Sequence, residues 1–89
     1  MLFSPGQIVA TPNALGVLNQ ANTTPMDLLR RHLAGDWGDL DAEDKASNDS
    51  AVKHGSRVFS SYILETGEKV WVITEADRSS TCLLLPEDY

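Results

Sequence analysis

Apolar positions along this chain recur at helical spacing in its first half and at strand spacing in its second. A short strand is predicted over residues 7–10, Gln-Ile-Val-Ala. Thr11-Pro12 then reads as a helix start, because Pro at the first helical position sacrifices no hydrogen bond and Thr is a good N-cap. Ala14, Leu15, Val17, Leu18 and Ala21 give that helix an apolar face, weakened at Gly16. The same punctuation returns at Thr24-Pro25, where Thr24 and Asp27 have the spacing of a capping box. Met26, Leu29 and Leu33 follow as a core-facing stripe, and Gly35 is the expected stop. The two helices form an αα-hairpin joined through residues 19–23.

A third helix is predicted over about residues 41–53, capped by Asp39 or Asp41 and ended by His54-Gly55. Its apolar content is thin (Ala42, Ala46, Ala51, Val52), so it is expected on the surface with a narrow core contact. From Ser56 onward the pattern is β. Strands are expected over 57–64, 69–75 and 80–85, with turns at 65–68 and 76–79. Turns this short require antiparallel pairing. The fold expected is a single α+β domain over 1–89, with two or three N-terminal helices on one face of a three- to four-stranded antiparallel sheet ending in a C-terminal meander.

Charge sharpens one part of this picture. The chain has 13 acids against 7 bases, a formal net charge of -6. Six of those acids (Asp36, Asp39, Asp41, Glu43, Asp44, Asp49) lie between positions 36 and 49, opposed only by Lys45. Such a balance disfavours direct nucleic-acid binding, which depends on cations displacing phosphate counterions, and suits a basic protein partner. Arg30 and Arg31 are the only bases on the second helix, a poor reading head for a helix-turn-helix. A single cysteine, Cys82, allows no internal disulfide and no cysteine-based zinc site; in the run Cys82-Leu83-Leu84-Leu85 it reads as a small buried hydrophobe. No signal peptide and no apolar run of spanning length is evident, so a cytoplasmic protein without membrane association is expected.

The acidic tract does not fit a calcium-binding loop. A register starting at Asp39 puts Asp44 where an EF-hand loop needs glycine and Ser50 where it needs glutamate. A register starting at Asp36 puts Gly38 and Leu40 at ligand positions. Both fail, and helix capping accounts for the acids at 39–44. Trp37 is left over: it either plugs the core end of the helix pair or stands exposed as an anchor between Asp36 and Asp39. Asp77 and Arg78 belong to a turn that is either a solvated hairpin or a recognition loop, with Arg78 offering a fork to a carboxylate or phosphate. His32 and His54 sit at helix ends, and no nucleophile-elbow pattern accompanies them.

Three segments, residues 3–12, 35–39 and 73–79, together with the Leu-Pro-x-x-Tyr ending at Leu85–Tyr89, resemble a family of small proteins of bacterial plasmids and integrative elements. Its members are called plasmid-related or hypothetical, and some carry a label linking them to type I restriction-modification. A chain of this length has no room for the cofactor-binding α/β domain of a methyltransferase. The resemblance therefore implies a genomic setting and brings no catalytic residues with it. The leading expectation is a non-enzymatic accessory protein without a cofactor, which binds a protein partner through an acidic surface. Its candidate binding residues are Asp36, Trp37, Asp39, Asp41, Asp44, Asp77 and Arg78. The alternatives are a small metal-dependent hydrolase using His32, Asp36, Asp39 and Asp77, and a DNA-binding regulator.

Overall fold

Thr11 and Thr24 both begin helices in the computed structural model, which describes all 89 residues. Strand β1 (Gln7–Ala10) is followed by helices α1 (Pro12–Gln20), α2 (Pro25–Leu33) and α3 (Ala42–His54). Strands β2 (Val58–Ile63), β3 (Lys69–Thr74) and β4 (Ser80–Leu84) come next, and a 3-10 turn closes the chain at Pro86–Asp88. The Thr11 hydroxyl accepts from the Ala14 N–H, and Thr24 and Asp27 complete their reciprocal capping box. Asp41, not Asp39, caps α3 by accepting from the Asp44 N–H at 2.8 Å. Gly55 ends α3 in the left-handed conformation.

The sheet runs β1-β4-β3-β2. Its three C-terminal strands form the expected antiparallel meander, with Tyr62 opposite Val70 and Val72 opposite Leu83. The fourth strand differs from an all-antiparallel expectation. β1 pairs parallel to β4, Gln7 against Ser80 through Ala10 against Leu83, so the sheet is mixed. Parallel pairing needs a long crossover, and here everything between β1 and β4 supplies it.

Side chains alternate across the sheet. Tyr62, Val70, Val72 and Leu83 face α1 and α2, and they form the main core with Ala14, Leu18, Ala21, Leu28, Leu29, Leu64 and Leu85. The stripe on α2 is rotated from the one expected: Leu28, Leu29 and His32 are buried, Leu33 is half-buried, and Met26 is exposed. On α1, Leu15 is likewise exposed. A smaller cluster of Trp37, Ala51 and Val58, flanked by Phe3, Leu40 and Val52, fixes α3 to the β2 end of the sheet.

The β2 edge is sealed by the chain itself. The Ser61 N–H donates to the Trp37 carbonyl at 3.2 Å, and the Asp39 N–H donates to the Ser61 carbonyl at 2.6 Å. Two residues earlier, the Asn48 side chain accepts from the Phe59 N–H at 3.0 Å and donates to the Phe59 carbonyl at 2.6 Å. These bonds satisfy backbone groups that an edge strand would leave open to another chain. They also demand a close approach. Gly38 lies on β2 at φ +76°, where an added Cβ would meet the Ser61 carbonyl and the Tyr62 ring.

Gly38→Ala is therefore expected to destabilise the fold by about 2 kcal/mol or more, through both the backbone conformation and the clash. Gly16→Ala, inside α1 with no atom near the new methyl, is expected to stabilise it by about 1 kcal/mol. Denaturant titration of the two variants checks both signs.

Candidate functional site

The acidic tract begins where α2 ends, and His32 determines how that end is held. His32 is fully buried. Its Nδ1 lies 2.6 Å from Ser60 Oγ on β2, and its Nε2 lies 2.9 Å from Thr74 Oγ1 on β3. Thr74 Oγ1 is 2.7 Å from Thr81 Oγ1 on β4, and the Thr81 hydroxyl donates to the Pro5 carbonyl at 2.7 Å. A carbonyl only accepts, so that last bond fixes each proton back to His32 Nε2, and a neutral ring then leaves Nδ1 bare. Thr81 donates to Pro5, Thr74 donates to Thr81, His32 Nε2–H donates to Thr74, and Ser60 donates to the bare Nδ1. The neutral histidine, the form that burial favours, is thus held in one tautomer with both ring nitrogens used.

Burial pushes the His32 pKa down from 6.5 to about 4, and the positive charge of Arg78 pushes the same way. The Ser60–His32 pair has the spacing of a nucleophile and its base. Ser60, however, is as fully buried as the histidine, so no substrate reaches it. This constellation is an interior polar strut.

Trp37 is buried too, at 4% exposure, so of its two readings the core plug is the one observed. Its ring lies against Phe3 and edge-on to His32, and its indole N–H donates to Asp49 at 3.0 Å. Asp36 is exposed and ion-paired with Arg31 at 2.7 Å, which holds its carboxyl below the ordinary range. The Asp36 carbonyl accepts from the Tyr62 hydroxyl at 2.7 Å, and the Arg31 guanidinium lies over the Tyr62 ring. Burial pushes the Tyr62 pKa up to about 12. Asp39, Asp41, Glu43 and Asp44 are all exposed on the first turn of α3 or just before it.

The second candidate segment is engaged differently. The Arg78 fork does not point out to a ligand. It donates to the Ser56 carbonyl at 2.6 Å, to the Ala51 carbonyl at 3.0 Å and to the Glu75 carbonyl at 3.2 Å, while its guanidinium lies 5.3 Å from the Phe3 ring centre. A cation there also suits the negative end of the α3 dipole. Asp77 is exposed and accepts from the Ser79 N–H at 2.9 Å, the solvated-turn arrangement. Phe3 joins the two segments inside the molecule, touching Trp37, His32 and Arg78. Their charges do not meet, because the Asp41 cap and the Ala51 carbonyl held by Arg78 are separated by about 15 Å of helix.

No three histidine, cysteine or acidic side chains converge to hold a metal ion. Cys82 is half-buried on the outer face of the sheet, where burial raises its pKa and keeps it a thiol. That face also carries a shallow cleft of about 220 Å³ between Arg57, Phe59, Trp71, Ile73 and Tyr89. Arg57 donates to the Tyr89 hydroxyl at 2.8 Å and is 3.6 Å from Glu75, so its charge is shared within the chain. No helix is long and apolar enough to cross a membrane. Comparison with models of protein families, with curated proteins and with solved structures gives no match.

Sequence reasoning missed Ser60, Thr74, Thr81 and Asn48. The first three had a visible signal: small hydroxyl residues at the inward positions of otherwise apolar strands, with a histidine on the apolar side of a facing helix. Unfolded His32 takes a proton near pH 6.5, whereas the folded site takes one only near pH 4. The unfolded chain therefore binds more protons between those values, and stability falls as pH is lowered through them. The full loss is expected to be on the order of 3 kcal/mol. Equilibrium unfolding from pH 7.5 to pH 4 checks this, and His32→Gln should flatten that limb while lowering stability at neutral pH.

Proposed function

We propose that the protein works by binding a basic protein partner through the exposed acids at the start of α3. Asp39, Asp41, Glu43 and Asp44 form that surface, as part of a non-enzymatic accessory protein of a bacterial mobile element acting in the cytoplasm. One observation carries the reading. The three ion pairs in the molecule are Asp27–Arg30, Asp36–Arg31 and Glu75–Arg57, so none of these four acids is neutralised by a cation of the chain. Unpaired charges of one sign on a rigid helix end accelerate encounter with an oppositely charged surface. Asp36 lies beside this surface, engaged with Arg31. Trp37 supports it from below, and Asp77 and Arg78 fall outside it.

The two alternatives gain no such support. A hydrolase using His32 with Asp36, Asp39 and Asp77 would need a free imidazole nitrogen, and both are bonded to Ser60 and Thr74. A DNA reader would need α2 to present its bases, yet Arg30 and Arg31 are each paired to an acid. The genomic setting comes from the family resemblance alone.

The test uses the triple variant Asp39→Lys, Glu43→Lys, Asp44→Lys, which leaves the Asp41 cap and the Asp49–Trp37 bond in place. Bacterial extract is passed over immobilised wild-type and variant protein at low salt, with thermal unfolding confirming that the variant is folded. A partner held by the wild type, released by about 0.5 M salt and lost from the variant by tenfold or more, is the expected result. An identical set of proteins on both, or none on either, refutes the proposal.

A further inference from the structure

The two edges of the sheet are treated in opposite ways. The β2 edge is closed by the Trp37–Asp39 segment and the Asn48 amide. The β1 edge is covered by nothing. Gln7 and Thr11 donate to the Ser79 and Leu83 carbonyls, both at 3.0 Å. In a parallel ladder such bonds come from alternate residues, so the N–H and C=O groups of Ile8 and Ala10 point away from the sheet. Edge strands are ordinarily protected by a charge, a bulge or an internal proline. The strand Gln-Ile-Val-Ala has only its four-residue length as protection, with no charge, bulge or internal proline, and its pairing with β4 is regular.

The side chains on this strand are also uncovered. Ile8 pairs with Thr81 and so lies on the helix side of the sheet, while Val9 pairs with Cys82 and lies on the outer side. They are 45% and 41% exposed. An added strand would supply cross-strand neighbours to both at once.

Charge identifies the occupant. Residues 1–26 contain no Asp, Glu, Lys, Arg or His, in a chain of net charge -6. Two acids reach into this region and both are engaged there, Asp88 by the Thr11 hydroxyl at 2.7 Å and the Asn13 amide at 2.9 Å, and Asp27 by the Thr24 N–H at 2.9 Å. Copies of a molecule with net negative charge repel each other least where two such uncharged surfaces meet. The acidic end of α3, packed near β2, lies three strands away from β1.

We propose that β1 is a self-association edge, pairing antiparallel with β1 of a second copy to make one continuous eight-stranded sheet. The outward groups select the register. Ile8 of each chain exchanges two hydrogen bonds with Ala10 of the other, giving four bonds, and Val9 faces its own copy across the two-fold axis. Registers centred elsewhere leave Ile8 or Ala10 unmatched or bring in Pro12, which has no N–H. A ladder of this length is small beside a typical stable interface of about 1,600 Å², so the dimer should be concentration-dependent.

Sedimentation of the full chain from about 10 µM to about 1 mM should show the mass rising toward twice the monomer. Ile8→Lys and Ala10→Pro should each weaken association tenfold or more, since proline is tolerated where an edge N–H faces outward. Ala46→Gln, an uncharged change at an exposed position of α3 near the opposite edge, should leave it unchanged. Val9→Cys in a Cys82→Ser background should oxidise to a disulfide-linked dimer, because facing Cα atoms in such a pair stand within disulfide range. Circular dichroism checks each fold. If Ala10→Pro unfolds, Ile8→Lys carries the test, as it replaces an exposed side chain. A monomer throughout overturns the proposal, as does a dimer insensitive to both edge variants. An edge-sensitive dimer that does not cross-link overturns the register while upholding the edge.

Discussion

A fully buried histidine bonded at both ring nitrogens is the constraint around which this small domain is arranged. His32 on α2 reaches β2 through Ser60 and β3 through Thr74, and Thr74 passes the chain of bonds to Thr81 on β4 and on to the backbone at Pro5. Five separate parts of the chain thus meet on one line of hydrogen bonds. An interior polar group costs free energy unless it is paired, so this line is satisfied in one arrangement and penalised in others. A slip of β3 by one residue would turn Thr74 to the opposite face and leave His32 Nε2 unpaired. Apolar residues at the same positions would pack without selecting a register. The network therefore contributes specificity as well as cohesion.

Much of the fold was legible because local signals and tertiary demands coincide. The Thr-Pro starts, the Thr24–Asp27 box, Gly55 and the strand periodicity each act within a few residues, and the structure obeys them. The departures all involve partners distant in sequence. The stripe on α2 is rotated because burying His32 against Ser60 and Thr74 outweighs burying Met26. β1 carries no mark of being parallel to a strand more than seventy residues later. Asn48 is one of many polar residues on the third helix and nothing near it in sequence sets it apart, yet its amide substitutes for a neighbouring strand. Trp37 was readable as either core or surface, since its flanking acids and glycines suited both; what decided it was Phe3, more than thirty residues away.

The acidic tract divides along the same line. Asp36, Asp41 and Asp49 are held by interactions that build the turn, the helix cap and the tryptophan bond. Asp39, Glu43 and Asp44 offer their carboxylates to nothing in the chain. Helix capping explains why acids are favoured there in general, but one cap and a favourable dipole need only a fraction of them. The excess is the part of the tract that stability does not account for. The opposite holds at Asp77 and Arg78, where every polar group of note is bound to the chain's own backbone.

The fixed direction of the proton chain has an evolutionary consequence. Because the Pro5 carbonyl can only accept, the orientations of Thr81, Thr74, His32 and Ser60 are not independent, and no member can be replaced without orphaning its neighbour. Histidine exchanged for a hydrocarbon would leave the Ser60 hydroxyl without its acceptor and the Thr74 oxygen without its donor; either threonine exchanged for valine would likewise leave a donor or an acceptor without a mate. Descendants of this sequence are thus steered toward two states, keeping the whole set or exchanging it together for an apolar one. Drift at these four positions should be concerted, even though they lie up to 49 residues apart in the chain.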